Sequence, residues 1–175
     1  MARAAGTKSA IKTKPFKSDV KDSGPANSGS RIKYWLMKSE PDAFSWENLK
    51  AKGAKGEEWS GVRNFQARNN MKAMQIGDLA FFYHSNVGLE VVGICKVSAL
   101  AHPDSTAEDA RWQCVDVVAV KDVPKPVSLA AVKANPKLAD MKLVTSTRLS
   151  VQPVRDEEWD EVCRMGGLTS QKGQR

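Results

Sequence analysis

The texture of the chain breaks at Tyr34, and that break decides which part of it can fold. Residues 1–33 hold a single aromatic, Phe16, among Lys, Ser, Gly, Pro and Ala. A segment like this buries too little apolar surface to offset its chain entropy, so it is expected to be a disordered basic tail. From Tyr34 onward, short apolar runs alternate with turn residues. The 175 residues suit one domain plus an appendage. The globular part is expected over 34–167, with a short second tail over 168–175.

Charge follows the same break. Residues 1–33 carry eight Lys and Arg against Asp19 and Asp22, a net of +6. The other 142 residues carry 19 basic and 18 acidic groups, a net of +1. If the body binds nucleic acid, it must use a local site rather than a broad basic face. The tail itself reads as a phosphate-binding arm, as a targeting segment (an organelle transit peptide among the options) or as a plain solvated extension. No apolar stretch reaches the ~18 residues of a membrane helix, and none near the N-terminus reads as a signal peptide. A soluble intracellular protein without a membrane partner is therefore expected, nuclear in a eukaryote and cytoplasmic in a bacterium. Cys95, Cys114 and Cys163 form no CxxC pair, and no His lies at metal spacing from them. Neither a disulfide framework, a bound metal nor another cofactor is expected.

The body reads as an α+β domain. Residues 34–38, 79–84, 91–97 and 113–123 look like strands, with a last one near 149–151 ended by Pro153. The run 79–84 is apolar on both faces, as in a buried strand. Gly93, inside a strand, implies a bulge or a close backbone approach. Ser45, Asn64 and Ser128 are placed to cap helices. Ala67, Met71 and Met74 recur at i, i+4 and i+7, giving one apolar helical face. Trp159, Val162 and Cys163 mark a C-terminal amphipathic helix closed by Gly166-Gly167. Five or six strands with short flanking helices imply a small, curved sheet or barrel.

Catalytic constellations are missing from the pattern: there is no GxSxG, Walker loop, HExxH or dinucleotide fingerprint, and only two histidines, His84 and His102. The acidic runs Glu57-Glu58 and Asp156-Glu157-Glu158 read as solvated charges. No catalytic residue is assigned. Three segments instead place small, polar and aromatic residues where elements begin or end: Met37-Lys38-Ser39-Glu40-Pro41, Trp59-Ser60-Gly61-Val62-Arg63-Asn64 and Phe82-Tyr83-His84-Ser85-Asn86. Together they offer aromatic planes, a carboxylate, hydroxyls, amides and cations, the groups a pocket for an unstacked base requires. The same residues also fit core aromatics flanked by turn and cap residues, and spacing alone leaves both readings open.

These segments, in this order, closely resemble the EVE domain family. The resemblance continues through residues 101–104, 112–117, 126–129 and 148–153, and so covers essentially all of 34–165. It implies a PUA-like fold and a non-catalytic monomer that reads a modified base, with 5-methylcytosine-type bases in DNA the leading ligand. An RNA-binding module for a modified nucleotide is the alternative, and a base- or nucleotide-modifying enzyme the more remote one. By position, the implied pocket falls on Lys38, Ser39, Trp59, Val62, Arg63, Asn64, Tyr83, His84 and Ser85. Trp59 or Tyr83 would stack on the base, and Lys38, Arg63 and Arg68 would contact phosphate. The chain departs from the family pattern at Ser60, where many relatives have Asp, and at Phe65, where many have Tyr.

Overall fold

A computed structural model describes residues 31–169. The tail readings for 1–33 and 168–175 therefore lie outside the described residues, apart from 31–33 and 168–169. Six strands form one mixed sheet: β1 (Tyr34–Ser39), β2 (Glu57–Glu58), β3 (Leu79–His84), β4 (Glu90–Pro103), β5 (Gln113–Ser128) and β6 (Val151–Val154). Their order is β2-β5-β4-β3-β1-β6, so β2 and β6 are the edges. Only β1 and β3 run parallel, and the chain between them supplies α1 (Trp46–Ala51), β2 and α2 (Phe65–Ala73). The remaining helices are α3 (Leu129–Ala134), α4 (Lys142–Thr145) and α5 (Asp156–Met165). No helix among the described residues is long and apolar enough to cross a membrane.

The period-two alternation of strands sorts the core into two layers. Trp35, Met37, Ala80 and Phe82 pack on one face with Trp46 and Leu49 of α1 and Ala67 and Met71 of α2. Leu36, Phe81 and Tyr83 pack on the other with Val132, Leu143 and Trp159 of α3, α4 and α5. This double burial is why residues 79–83 carry no charged or amide side chain.

The caps form as the residue types imply. Ser45 and Asn48 make a reciprocal capping box at α1. Asn64 Oδ1 accepts the Ala67 N–H at 2.9 Å, and Ser128 Oγ accepts the Ala131 N–H at 3.1 Å. At Gly93 both a bulge and a close approach are present. The β4–β5 register shifts between Val91 and Gly93, and a Cβ at Gly93 would sit 2.2 Å from the Trp46 ring. Glycine is required there because the indole occupies the space of a side chain. Further register shifts along β4 and β5 bend these long strands.

Several expectations need correction. Pro153 lies within β6 instead of ending it. β6 is an edge paired only with β1, and an edge strand tolerates a missing N–H. β4 and β5 run on to Pro103 and Ser128, well past the expected ends at 97 and 123. Glu158 is not a solvated charge: it is 3% exposed and accepts from the Arg155 backbone N–H at 3.1 Å and from Arg155 Nε at 2.8 Å. Glu58 is half-buried and belongs to β2, a strand too short to carry any periodicity.

Candidate functional site

The end of β1, the turn after it and the loop after β2 surround a cavity of about 490 Å³, within the size range of small-ligand sites. Phe44, Trp59 and Val62 give it apolar walls, and Ser39, Glu40, Glu58 and Ser150 add polar groups. Trp59 is only 7% exposed and belongs to the core, where its ring meets Phe82 edge-on at 5.4 Å. Its backbone N–H donates to the Val115 carbonyl at 2.8 Å. The residue is thus both a core aromatic and a pocket wall.

One buried carboxylate organises the rim. Asp104 is 3% exposed, and its Oδ2 accepts from the Gly61 N–H at 2.8 Å and from Arg63 Nη1 at 3.0 Å. Its Oδ1 accepts from the Thr106 N–H at 2.8 Å and from Thr106 Oγ1 at 2.6 Å. Burial alone would raise its pKa, but these donors outweigh burial and hold the carboxyl at about 2. Gly61 has φ +83°, and its N–H is one of the Asp104 donors. Glycine enters that left-handed region without the steric cost of a Cβ. Asp104 thus ties the loop carrying Trp59 and Arg63 to the loop between β4 and β5.

Five of the nine residues implied for the pocket line it: Lys38, Ser39, Trp59, Val62 and Arg63. Ser39 Oγ donates to the Phe44 carbonyl at 2.6 Å and so holds the turn that forms one wall. Lys38 Nζ donates to the Thr147 carbonyl at 2.8 Å, and burial lowers its pKa. Arg63 is committed to Asp104, and it also donates to the Val62 carbonyl and to Thr106 Oγ1.

The other four do not line the cavity. Tyr83 is 2% exposed and sits on the opposite face with Leu36 and Phe81, so it is not available to stack there. In β3, Phe82 packs with the pocket-side layer, while Phe81 and Tyr83 pack with the other. His84 Nε2 accepts the Trp46 N–H at 3.1 Å at the start of α1, and burial lowers its pKa. Asn64 is spent as the α2 cap, and the Ser85 N–H donates to the Ser39 carbonyl. Arg68, implied as a phosphate contact, lies outside the cavity, where it donates to the Arg111 carbonyl and to Asn69 Oδ1.

Next to the cavity the fold assembles a group that sequence spacing misses. His102 and Cys114 are direct partners across β4 and β5, and their ligand atoms lie within 4.8 Å of one another and of a Glu58 oxygen. Such a trio could hold a metal ion. Each member is already satisfied by hydrogen bonds. Cys114 Sγ donates to Glu58 at 3.2 Å, Ser105 donates twice to Glu58, and His102 Nε2 lies 2.7 Å from Asp116 Oδ1. Burial and Glu58 push the thiol pKa far up, while the Asp116 hydrogen bond raises that of His102.

A family model for the EVE domain matches residues 33–165. Thymocyte nuclear protein 1 of Gallus gallus is 36% identical, over 83% of this chain and 74% of its own. A crystal structure of a protein from Agrobacterium tumefaciens is similar with a TM-score of 0.79 and 66% identity, covering 82% of this chain and 99% of that one. The human THYN1 protein, solved in complex with 5-methylcytosine containing DNA, is similar with a TM-score of 0.72 and 34% identity, covering 81% and 99%.

Proposed function

The chain belongs to the EVE domain family, and from that premise we propose that it is a non-catalytic reader of a modified base, of the 5-methylcytosine class in DNA, held in the cavity beside Trp59. The observation that carries this reading is the cavity itself, with an aromatic wall and a polar rim. Support comes from the similarity to a protein crystallised with 5-methylcytosine containing DNA.

In this reading the indole of Trp59 stacks on the base, and Val62 and Phe44 receive its apolar edge. Glu40 borders the cavity, and its carboxylate makes no hydrogen bond among the described residues. We assign it as acceptor for the exocyclic amino group, since Glu58 is already occupied by Ser105 and Cys114. Lys38 now bonds a neutral carbonyl, and a phosphate oxygen is the stronger, charge-assisted acceptor. Arg63, paired with Asp104, positions the rim and adds a second cation. The protein acts as a monomer without metal, and in a eukaryote it works in the nucleus, where its DNA is.

Magnitudes limit the selectivity. One methyl group offers about 0.8 kcal/mol of burial, roughly fourfold in affinity. Extruding a base from a duplex costs a few kcal/mol, less at a mismatch or in a single strand. Micromolar affinity with a preference for unpaired sites is expected. The test is a titration panel of plain, methylated and hydroxymethylated cytosine in single-stranded, mismatched and duplex DNA, with matched RNA, at stated salt. Trp59→Ala should weaken binding roughly 5- to 150-fold, and Glu40→Gln should weaken cytosine more than thymine. Unmodified perfect duplex bound as tightly as a methylated mismatch would refute the reading. Preferential binding of the RNA would move it to the alternative module.

A further inference from the structure

Beside the cavity rim the surface carries aromatic side chains that the core does not use. Phe65, the first residue of α2, is 50% exposed, and Trp112, just before β5, is half-buried. Neither belongs to either buried cluster. Their rings stack at 4.7 Å between centroids and 18° between planes. Each ring also carries a guanidinium: Arg63 Cζ lies 5.5 Å from the Trp112 centroid, and Arg68 Cζ lies 4.8 Å from that of Phe65. Four planar groups are thus linked in the order Arg63, Trp112, Phe65, Arg68. The first of them also lines the cavity.

The charges in this chain of contacts are not equal. Arg63 is neutralised by Asp104, and neighbouring Arg111 by Asp109 at 2.7 Å. Arg68 hydrogen-bonds only neutral acceptors, the Arg111 carbonyl and the Asn69 amide oxygen. It therefore covers an exposed ring without being locked there. A side chain held this way can leave the ring for a better acceptor, and a phosphate is one. The ring face it uncovers is a stacking surface for any nucleobase.

We propose that Phe65 and Trp112, with Arg68, form a second subsite for the unpaired nucleotide next to the base held in the cavity. The inference rests on the reading of the cavity as a base site. It narrows the substrate to a single-stranded DNA segment, or a locally opened one, instead of an isolated modified base. The flanking base stacks on Phe65, and Arg68 moves from the ring to the phosphate that joins the two nucleotides. Because every base has a π-face, this subsite adds affinity without reading sequence.

The test compares three ligands on the full chain: 5-methyl-dCMP, a trinucleotide with 5-methylcytosine at its centre, and the same trinucleotide with both flanking bases removed. The intact trinucleotide should bind at least about 5-fold tighter than its abasic version. Phe65→Ala should abolish that gain while leaving affinity for 5-methyl-dCMP and the melting temperature unchanged, and Phe65→Tyr should restore it. With 2-aminopurine as the flanking base, emission should be quenched on binding to the native protein and not to Phe65→Ala. Equal binding of the intact and abasic trinucleotides overturns the subsite, as does a Phe65→Ala variant that loses mononucleotide and trinucleotide alike. Failure of the cavity reading looks different: 5-methyl-dCMP does not bind, Trp59→Ala has no effect, and any trinucleotide binding depends on Phe65 alone.

Discussion

The two faces of the sheet both bury tryptophan, but they close over it differently. On the face covered by α5, Trp159 stacks on Phe81 at 3.9 Å and on Tyr34 at 4.3 Å, and a cavity of about 600 Å³ opens beside these rings, lined also by Ile94, Lys121 and Cys163. On the other face Trp59 meets Phe82 only edge-on, and its ring borders the smaller cavity of about 490 Å³. The two indoles are almost equally inaccessible, at 6% and 7% exposure. Burial therefore does not separate a structural aromatic from a binding one; the ring contacts do, since Tyr34 and Phe81 stack on Trp159 while no ring among the described residues stacks on Trp59.

The largest effect expected from this contrast lies at the stacked ring of Trp159. Trp159→Ala should cost about 3–5 kcal/mol of stability, as for other large buried aromatics, and leave base affinity per folded molecule unchanged. Urea unfolding and a base titration on the same sample measure both quantities. A Trp159→Ala protein that remains stable but no longer binds bases would remove the distinction between the faces.

A smaller effect is expected at the carboxylate that holds the rim of the Trp59 cavity. A carboxyl whose folded pKa lies below its unfolded value adds stability above that unfolded value and loses it as pH falls through the folded one. For Asp104 the window runs from about pH 4 down to about 2, and the contribution is roughly 2 kcal/mol. Asp104→Asn should flatten the stability curve across that window. It should also weaken base binding at neutral pH, because Gly61 and Arg63 lose their common acceptor. Unfolding curves collected between pH 2 and 6 would show the change in slope.

Much of the scaffold is readable from the chain because it depends on local chemistry. Ser45, Asn64 and Ser128 cap helices through residues three positions away, and Gly93 marks the only kind of residue that fits under Trp46. The family resemblance places Trp59, Val62 and Arg63 at the cavity. What the chain hides depends on pairing over long separations. Tyr83 and Phe82 point to opposite layers, but a strand with apolar or aromatic residues from Leu79 to Tyr83 carries no alternation by which to tell them apart. Glu58 and Asp104 look like ordinary loop acids until β2 pairs with β5 and the loop ending at Trp112 folds back on Gly61. His102 and Cys114, twelve residues apart in sequence, meet only through the β4–β5 register. Spacing rules find ligands that share an element, and these do not.

The central claim is that the cavity beside Trp59, and not the one beside Trp159, receives the base. An NMR titration of the full chain with 5-methyl-dCMP tests it most directly, read at the backbone amides of both layers. The amides of Ser39, Trp59 and Gly61 should shift progressively with ligand, while those of Tyr34, Phe81 and Trp159 stay in place. Movement confined to the α5 face, or no movement at Ser39, Trp59 and Gly61 at saturating ligand, would contradict the account.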